Sequence, residues 1–335
     1  MPRLLPLFLI FSLSSCSRPE VATSFYYWKV NYEVSDGEKE LMSRMGCDAL
    51  YVRYFDVVMK DGKAVPEATV RIDSGALGDV KVIPVVYVTN QVMKSLSGEQ
   101  IGPLANNIVS LVREIDRHLG REPEEWQIDC DWSDNTREQY FGLLKLIRKE
   151  ISPARLSATI RLHQVKYKDR TGVPPVDRGM LMHYNMGKLG SPEARNSIYN
   201  HPDAENYIRR LGDYPLPLDL ALPVFSWAIH FRDGQIQALN SKHRRSDYDG
   251  NPYFKNLRPD LYMADSSVVF RGDYFQKGDL VKIEEVSPSL LLEAAQKITR
   301  HLPGDDRKIV FFDLDSTILT RHTYENLNQV VDRFR

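Results

Sequence analysis

WQIDCDWSDNTREQYFGLLKLIRKEISPARLSATIRL, from Trp126 to Leu162, reads as strand, helix, strand. Trp126 to Trp132 is a short run fit for a buried strand. Tyr140, Leu143, Leu144, Ile147 and Ile151 then fall on one helix face, and Pro153 stops that helix. Leu156 to Leu162 is the next strand. Strand and helix in this alternation build parallel sheets.

The same rhythm runs outward in both directions. Upstream lie strands at Ser24–Trp28, Ala49–Phe55 and Val82–Val88, with a hairpin excursion from Val57 to Asp73 turning at Asp61-Gly62. A helix marked by Leu104, Ile108, Leu111, Val112, Ile115 and Leu119 ends at Gly120. Downstream come strands at Met180–Tyr184, Leu220–Trp227 and Lys308–Leu314. Leu327, Val330, Val331 and Phe334 give a closing helix. Eight strands, mostly followed by helices, predict a single-domain α/β fold, the (β/α)8 TIM barrel. A doubly wound open sheet is the alternative, weakened because no Gly-rich phosphate loop follows the first strand. Residues 230–286 are polar and aromatic without clear periodicity, and read as an elaborated loop within a barrel domain of residues 17–335.

Composition narrows the function classes. The chain has 335 residues, 42% hydrophobic and 27% charged, which excludes a disordered chain and a polytopic membrane protein. Its 44 Lys+Arg against 45 Asp+Glu leave no basic excess, so no nucleic acid is expected as partner. Met1-Pro2-Arg3 precedes an apolar run from Leu4 to Leu13, too short to span a bilayer. Leu13-Ser14-Ser15-Cys16 ends that run and resembles the bacterial lipobox. That resemblance implies a signal segment over residues 1–16, lipidation at Cys16, and anchoring in the cell envelope, with Ser17 favouring the outer membrane. Cys47 and Cys130 then read as two separate buried thiols.

Barrel active sites lie at the C-terminal ends of the strands. The strongest such end is Gln127-Ile128-Asp129-Cys130-Asp131-Trp132. Strand residues alternate faces, so Gln127, Asp129 and Asp131 share the inside while Ile128 and Cys130 face the helices. Two carboxylates one above the other suit acid and base work, because like charges push one pKa up. Trp28, Tyr54, Tyr87, Trp132, Tyr184 and Trp227 end strands and offer flat faces for sugar rings. Arg53, Arg161, His163, Gln164 and Asn185 offer hydrogen bonds. Trp132, Tyr184 and Trp227 are expected to line one cavity.

Asp129-Cys130-Asp131-Trp132 resembles the Asp-x-Asp-aromatic strand of the chitinase-like family 18 glycoside hydrolases, which are barrels with this motif on the fourth strand. Met182-His183-Tyr184-Asn185 is similar to that family's Met-x-Tyr-Asp/Asn, which implies that Tyr184 positions a substrate N-acetyl group. Where the family has its general-acid glutamate this chain has Ser133, then Asp134. A hydrolase would need another acid, and Asp56, Asp134, Asp313 and Asp315 are candidates by position. The chain is also similar to bacterial lipoproteins with a lone barrel domain.

Val310 to Thr317 resembles the first motif of haloacid-dehalogenase-type phosphatases. Only 18 residues follow Thr317, too few for the rest of that domain. The 8 histidines show no metal-ligand spacing, so neither metal nor cofactor is expected. The reading is a lipid-anchored, glycoside-hydrolase-like barrel with a carbohydrate as substrate or ligand. Hydrolysis through Asp129 and Asp131 is one outcome; an inactive barrel kept as a glycan-binding or envelope assembly module is the other.

Overall fold

The computed structural model describes residues 21–302 and 306–335. Eight parallel strands close into a barrel. They are β1 (Ala22–Tyr27), β2 (Ala49–Lys60), β4 (Lys81–Val88), β5 (Glu125–Asp129), β6 (Arg155–Arg161), β7 (Arg178–Met182), β8 (Leu218–Pro223) and β16 (Lys308–Phe312). Each pairs with the next, β16 pairs with β1, and β1 pairs with β2, so no edge is left open. β3 (Lys63–Glu67) folds back on the long end of β2. The turn between them puts Asp61 at φ 48° and Gly62 at φ 75°, the left-handed pair that a two-residue hairpin needs.

The helices shield the outer face. Gly98–Leu119 starts at a Ser97–Gln100 capping box and ends at Gly120 in the left-handed conformation. Arg137–Ile151 buries the five apolar residues that marked it in the sequence. Cys47 and Cys130 are free and buried.

Residues 226–285 are not a loop. They form a five-stranded antiparallel sheet in the order β10-β9-β15-β12-β11. Its strands are β9 (Ser226–Arg232), β10 (Gln235–Asn240), β11 (Phe254–Arg258), β12 (Leu261–Ala264) and β15 (Leu280–Glu285). β13 (Val268–Phe270) and β14 (Asp273–Phe275) add a hairpin. Tyr248, Phe254, Tyr262, Phe275, Val281 and Ile283 give this insertion its own buried core. The predicted seventh strand, Leu220–Trp227, is thus two strands: β8 closes the barrel and β9 opens the insertion. Because the insertion leaves from the C-terminal end of β8, it rises beside the barrel mouth.

Candidate functional site at the barrel mouth

β5 carries a column of polar side chains inside the barrel. At the bottom, Glu125 accepts from Lys308 Nζ (2.7 Å), Ser157 Oγ (2.8 Å) and Tyr51 OH (3.2 Å). Above it, Gln127 accepts from Tyr26 OH at 2.5 Å. Next, Asp129 is 4% exposed and accepts from Thr159 Oγ1 at 2.5 Å. At the top, the Asp131 side chain is 44% exposed and pairs with Arg161 through both oxygens, Nη2 lying 3.3 Å from Oδ2. Glu125 was missed in the sequence, although the period of two that groups 127, 129 and 131 runs back to it.

Burial pushes the Asp129 carboxyl up to about 6; the Arg161 charge opposes this, and Asp131 adds to it. Burial also works against the Arg161 charge, but Asp129 and Asp131 together hold that guanidinium above its usual range. One arginine therefore serves two carboxylates.

Around this column stand aromatic rings. Tyr184 lies 5.3 Å from Phe312 and 5.8 Å from Phe225, and Phe225 lies 5.3 Å from Trp227. Trp28 packs on Phe312 at 5.4 Å. The Arg53 guanidinium sits 5.6 Å over the Trp28 ring and pairs with Asp56 at 3.3 Å. Arg53 Nε and Asp56 Oδ1 are buried with no hydrogen-bond partner among the described residues. Tyr87 lies in register with Asp129 on β4; burial first, then Asp131 and Asp129, push its phenol up to about 12.

Asp313 follows β16. Burial raises its carboxyl to about 6, Asp315 adds to that and Lys29 opposes it. The electrostatic field of Asp313 reaches Tyr184, as do those of Arg161, Asp129 and Asp131. His163 is exposed on the short helix Leu162–Lys166, within electrostatic reach of Asp131 and Arg161. Asn185 is exposed at φ 54°, and its backbone N donates to Ile198 O at 2.8 Å.

Two expected ring platforms lie elsewhere. Trp132 is fully buried outside the barrel: it stacks on Tyr140 at 5.1 Å and donates from Nε1 to Thr171 O at 2.9 Å. The alternation that turns Ile128 and Cys130 outward turns Trp132 outward too. Tyr54 also faces the helices and donates to Asp116 Oδ1 at 2.7 Å. Trp227 belongs to the insertion, where its Nε1 donates to Glu284 Oε2 at 3.0 Å. The cavity expected for Trp132, Tyr184 and Trp227 together is therefore not formed by those three. Tyr184 and Trp227 are joined through Phe225, which the sequence reading passed over.

Of the other candidate acids, Asp134 pairs with Arg170 at 2.7 Å, and Asp315 accepts from Thr317 N at 2.7 Å in its own turn. Ser133 N donates to Thr136 Oγ1 at 2.9 Å at the entry to the Arg137–Ile151 helix. Gln164 is buried and donates to Trp132 O at 3.0 Å, so it supports the strand end from outside. No group of three His, Cys, Asp or Glu among the described residues is arranged to hold a metal ion. Cys16 lies outside the described residues.

No family model matches the chain, and no curated protein does. Solved structures match along its length. The spore cortex-lytic enzyme SleL of Bacillus cereus is 11% identical, with a TM-score of 0.58 over 95% of this chain and 76% of that one. A chitinase from Chromobacterium violaceum is 9% identical, with a TM-score of 0.54 over 93% and 99%. A chitinase-like agglutinin from Robinia pseudoacacia is 10% identical, with a TM-score of 0.54 over 93% and 99%. At these identities the likeness is one of fold. The chain has the fold of chitinase-like barrels, as the resemblance implied.

Proposed function

We propose that this chain binds a carbohydrate at the C-terminal mouth of the barrel, as a recognition module rather than a hydrolase. The observation that carries the reading is the Arg53–Asp56 pair beside the Trp28 ring. Its Nε and Oδ1 are buried and unpaired among the described residues. Buried polar groups are rarely left so, and sugar hydroxyls both donate and accept. Trp28, half-buried, supplies a face for a pyranose ring over the buried Tyr184, and Asp131 and Arg161 supply an acceptor and a donor at the entrance. The similar fold of a chitinase-like agglutinin and of chitinases supports a carbohydrate ligand without choosing between binding and hydrolysis.

The binding reading is favoured over hydrolysis by Ser133. It stands where the resembled family has its general acid, and Asp131 beside it is held by Arg161. The second reading, hydrolysis, rests on Asp313, whose carboxyl at about 6 is suited to proton donation near neutral pH. The test is calorimetric titration with N-acetylated and neutral oligosaccharides, with chromatography of the same samples for cleavage products. Saturable binding with intact oligosaccharide supports the recognition module. Products that disappear in Asp313→Asn support hydrolysis, and the absence of any binding overturns both.

We also propose that the chain is anchored in the cell envelope, at the outer membrane, through acylation of Cys16. Cys16→Ser should release it from membranes, and labelled palmitate should mark the wild type alone. Equal membrane recovery of both forms would contradict the anchor.

A further inference from the structure

Beside the mouth, where the insertion meets the turn after β16, lies a cleft of 620 Å3. Lys242, Arg244, Arg245, Arg271 and Arg321 line it, against two carboxylates, Asp249 and Glu285. The hydroxyls of Ser316, Thr317 and Thr320 complete the wall. Some of the charge is already matched. Arg245 pairs with Glu285 at 2.8 Å and Arg271 with Asp247 at 2.7 Å. Asp249 accepts from Tyr262 OH at 2.5 Å.

The remaining cations form no ion pair among the described residues. Lys242 makes no side-chain hydrogen bond or ion pair among the described residues and is exposed. Among the described residues, Arg244 Nη1 donates to the carbonyls of Ser241 and His243 alone. Arg321 Nη2 donates to Val224 O at 2.7 Å and to Thr317 Oγ1 at 3.1 Å, while its Nε and Nη1 are buried without a partner among the described residues. Burial disfavours the Arg321 charge, and Arg244 adds like-charge repulsion; Asp315, Glu285 and Asp313 do not cancel the two. Two guanidiniums that repel each other across a partly buried cleft are stabilised by an anion between them.

Val224 ties the cleft to the mouth: it lies one residue past β8, and its N donates to Phe312 O at 2.9 Å. We infer that the cleft is an anion subsite of the mouth, taking a carboxylate, sulfate or phosphate carried by the bound glycan. This rests on the carbohydrate reading above. The ligand class it selects is an acidic rather than a neutral glycan. The planar forks of Arg244 and Arg321 suit two-point recognition of such oxyanions.

The test titrates the full chain with two oligosaccharides of equal length, a neutral N-acetylglucosamine oligomer and one with a carboxylate or sulfate on alternate sugars. Inorganic phosphate alone is the third titrant. The acidic oligomer should bind roughly tenfold tighter, with the gain shrinking in high salt. Arg244→Gln and Arg321→Gln should each remove that gain and leave the neutral oligomer unchanged. Arg321 holds Val224 and its substitution can unfold the chain; Arg244 holds only local carbonyls, so its variant, checked by thermal melt, carries the test alone if needed. Neutral binding as tight as acidic, or an acidic preference that survives Arg244→Gln, overturns the subsite. If neither oligomer binds but phosphate does, and Arg244→Gln abolishes that, the subsite stands and the carbohydrate reading falls. Binding of none of the three overturns both.

Discussion

The two ends of the β5 column are built from the same kinds of residue and do different things. At the bottom, Glu125 is 3% exposed, and its partners among the described residues are Lys308, Ser157 and Tyr51, with Arg155 at 3.9 Å. At the top, Asp131 has one partner among the described residues, Arg161, and its side chain is 44% exposed. A carboxylate whose oxygens are all taken is a structural brace. One held from a single side, with its outer face open, is available to a ligand. A carboxylate inside a barrel is therefore not a functional residue on that ground alone; the count of occupied acceptor positions separates the two.

The largest effect should come from breaking the brace. Lys308→Met leaves Glu125 buried beside a distant Arg155, which should cost about 3 kcal/mol of stability. Urea denaturation should show it, while the molecules that remain folded bind glycan as before.

Arg161→Met should cost about 2 kcal/mol, because Asp129 and Asp131 lose their shared counter-charge at once. Unlike the Lys308 change, it should abolish glycan binding. Proton uptake by Asp129 should also move to higher pH, since Arg161 is what opposes its rise, and NMR titration of the carboxyl would follow it.

Asp129 sharpens the contrast at intermediate depth. Its folded carboxyl, at about 6, lies above the ordinary value, so the folded state holds the proton longer than the unfolded one. The stability this contributes is fully present below the ordinary carboxyl pKa. It is lost as pH rises from about 4 to about 6. Asp129→Asn removes that loss. Thermal melts at pH 4 and pH 7 should lie closer together in the variant than in the wild type. Asp116 and Asp313, raised in the same sense, keep part of the slope.

The barrel was legible because its strands and helices repeat two clear periods. Alternation on β5 placed Gln127, Asp129 and Asp131 inward, and the helix face from Tyr140 to Ile151 is buried as its spacing implies. The insertion was not legible for a physical reason. Its strands are three to seven residues long, and bulges break the alternation between Ile236 and Ala238 and between Asn256 and Arg258. Lys282 and Glu284 are buried in β15 as a pair at 2.8 Å, so polar residues stand where a pattern search expects apolar ones. Trp132 and Tyr54 end strands but sit on the outward-facing parity, so nearness to a strand end does not bring them to the mouth. Phe225 was missed because it joins the mouth only when the insertion folds beside β16, and Arg321 because the cleft beside the mouth, which it lines, forms only then.

The most direct measurement sets Asp131→Asn beside Lys308→Met in one calorimetric titration with an oligosaccharide that the wild type binds. Asp131 is half-exposed and its ion pair is worth about 1 kcal/mol or less, so the variant should melt close to the wild type. Its affinity should nevertheless fall roughly tenfold, the value of one charged hydrogen bond to a ligand. Lys308→Met should melt much lower and keep its affinity. Wild-type affinity in Asp131→Asn, or a matching loss in folded Lys308→Met, would contradict the division between mouth and brace.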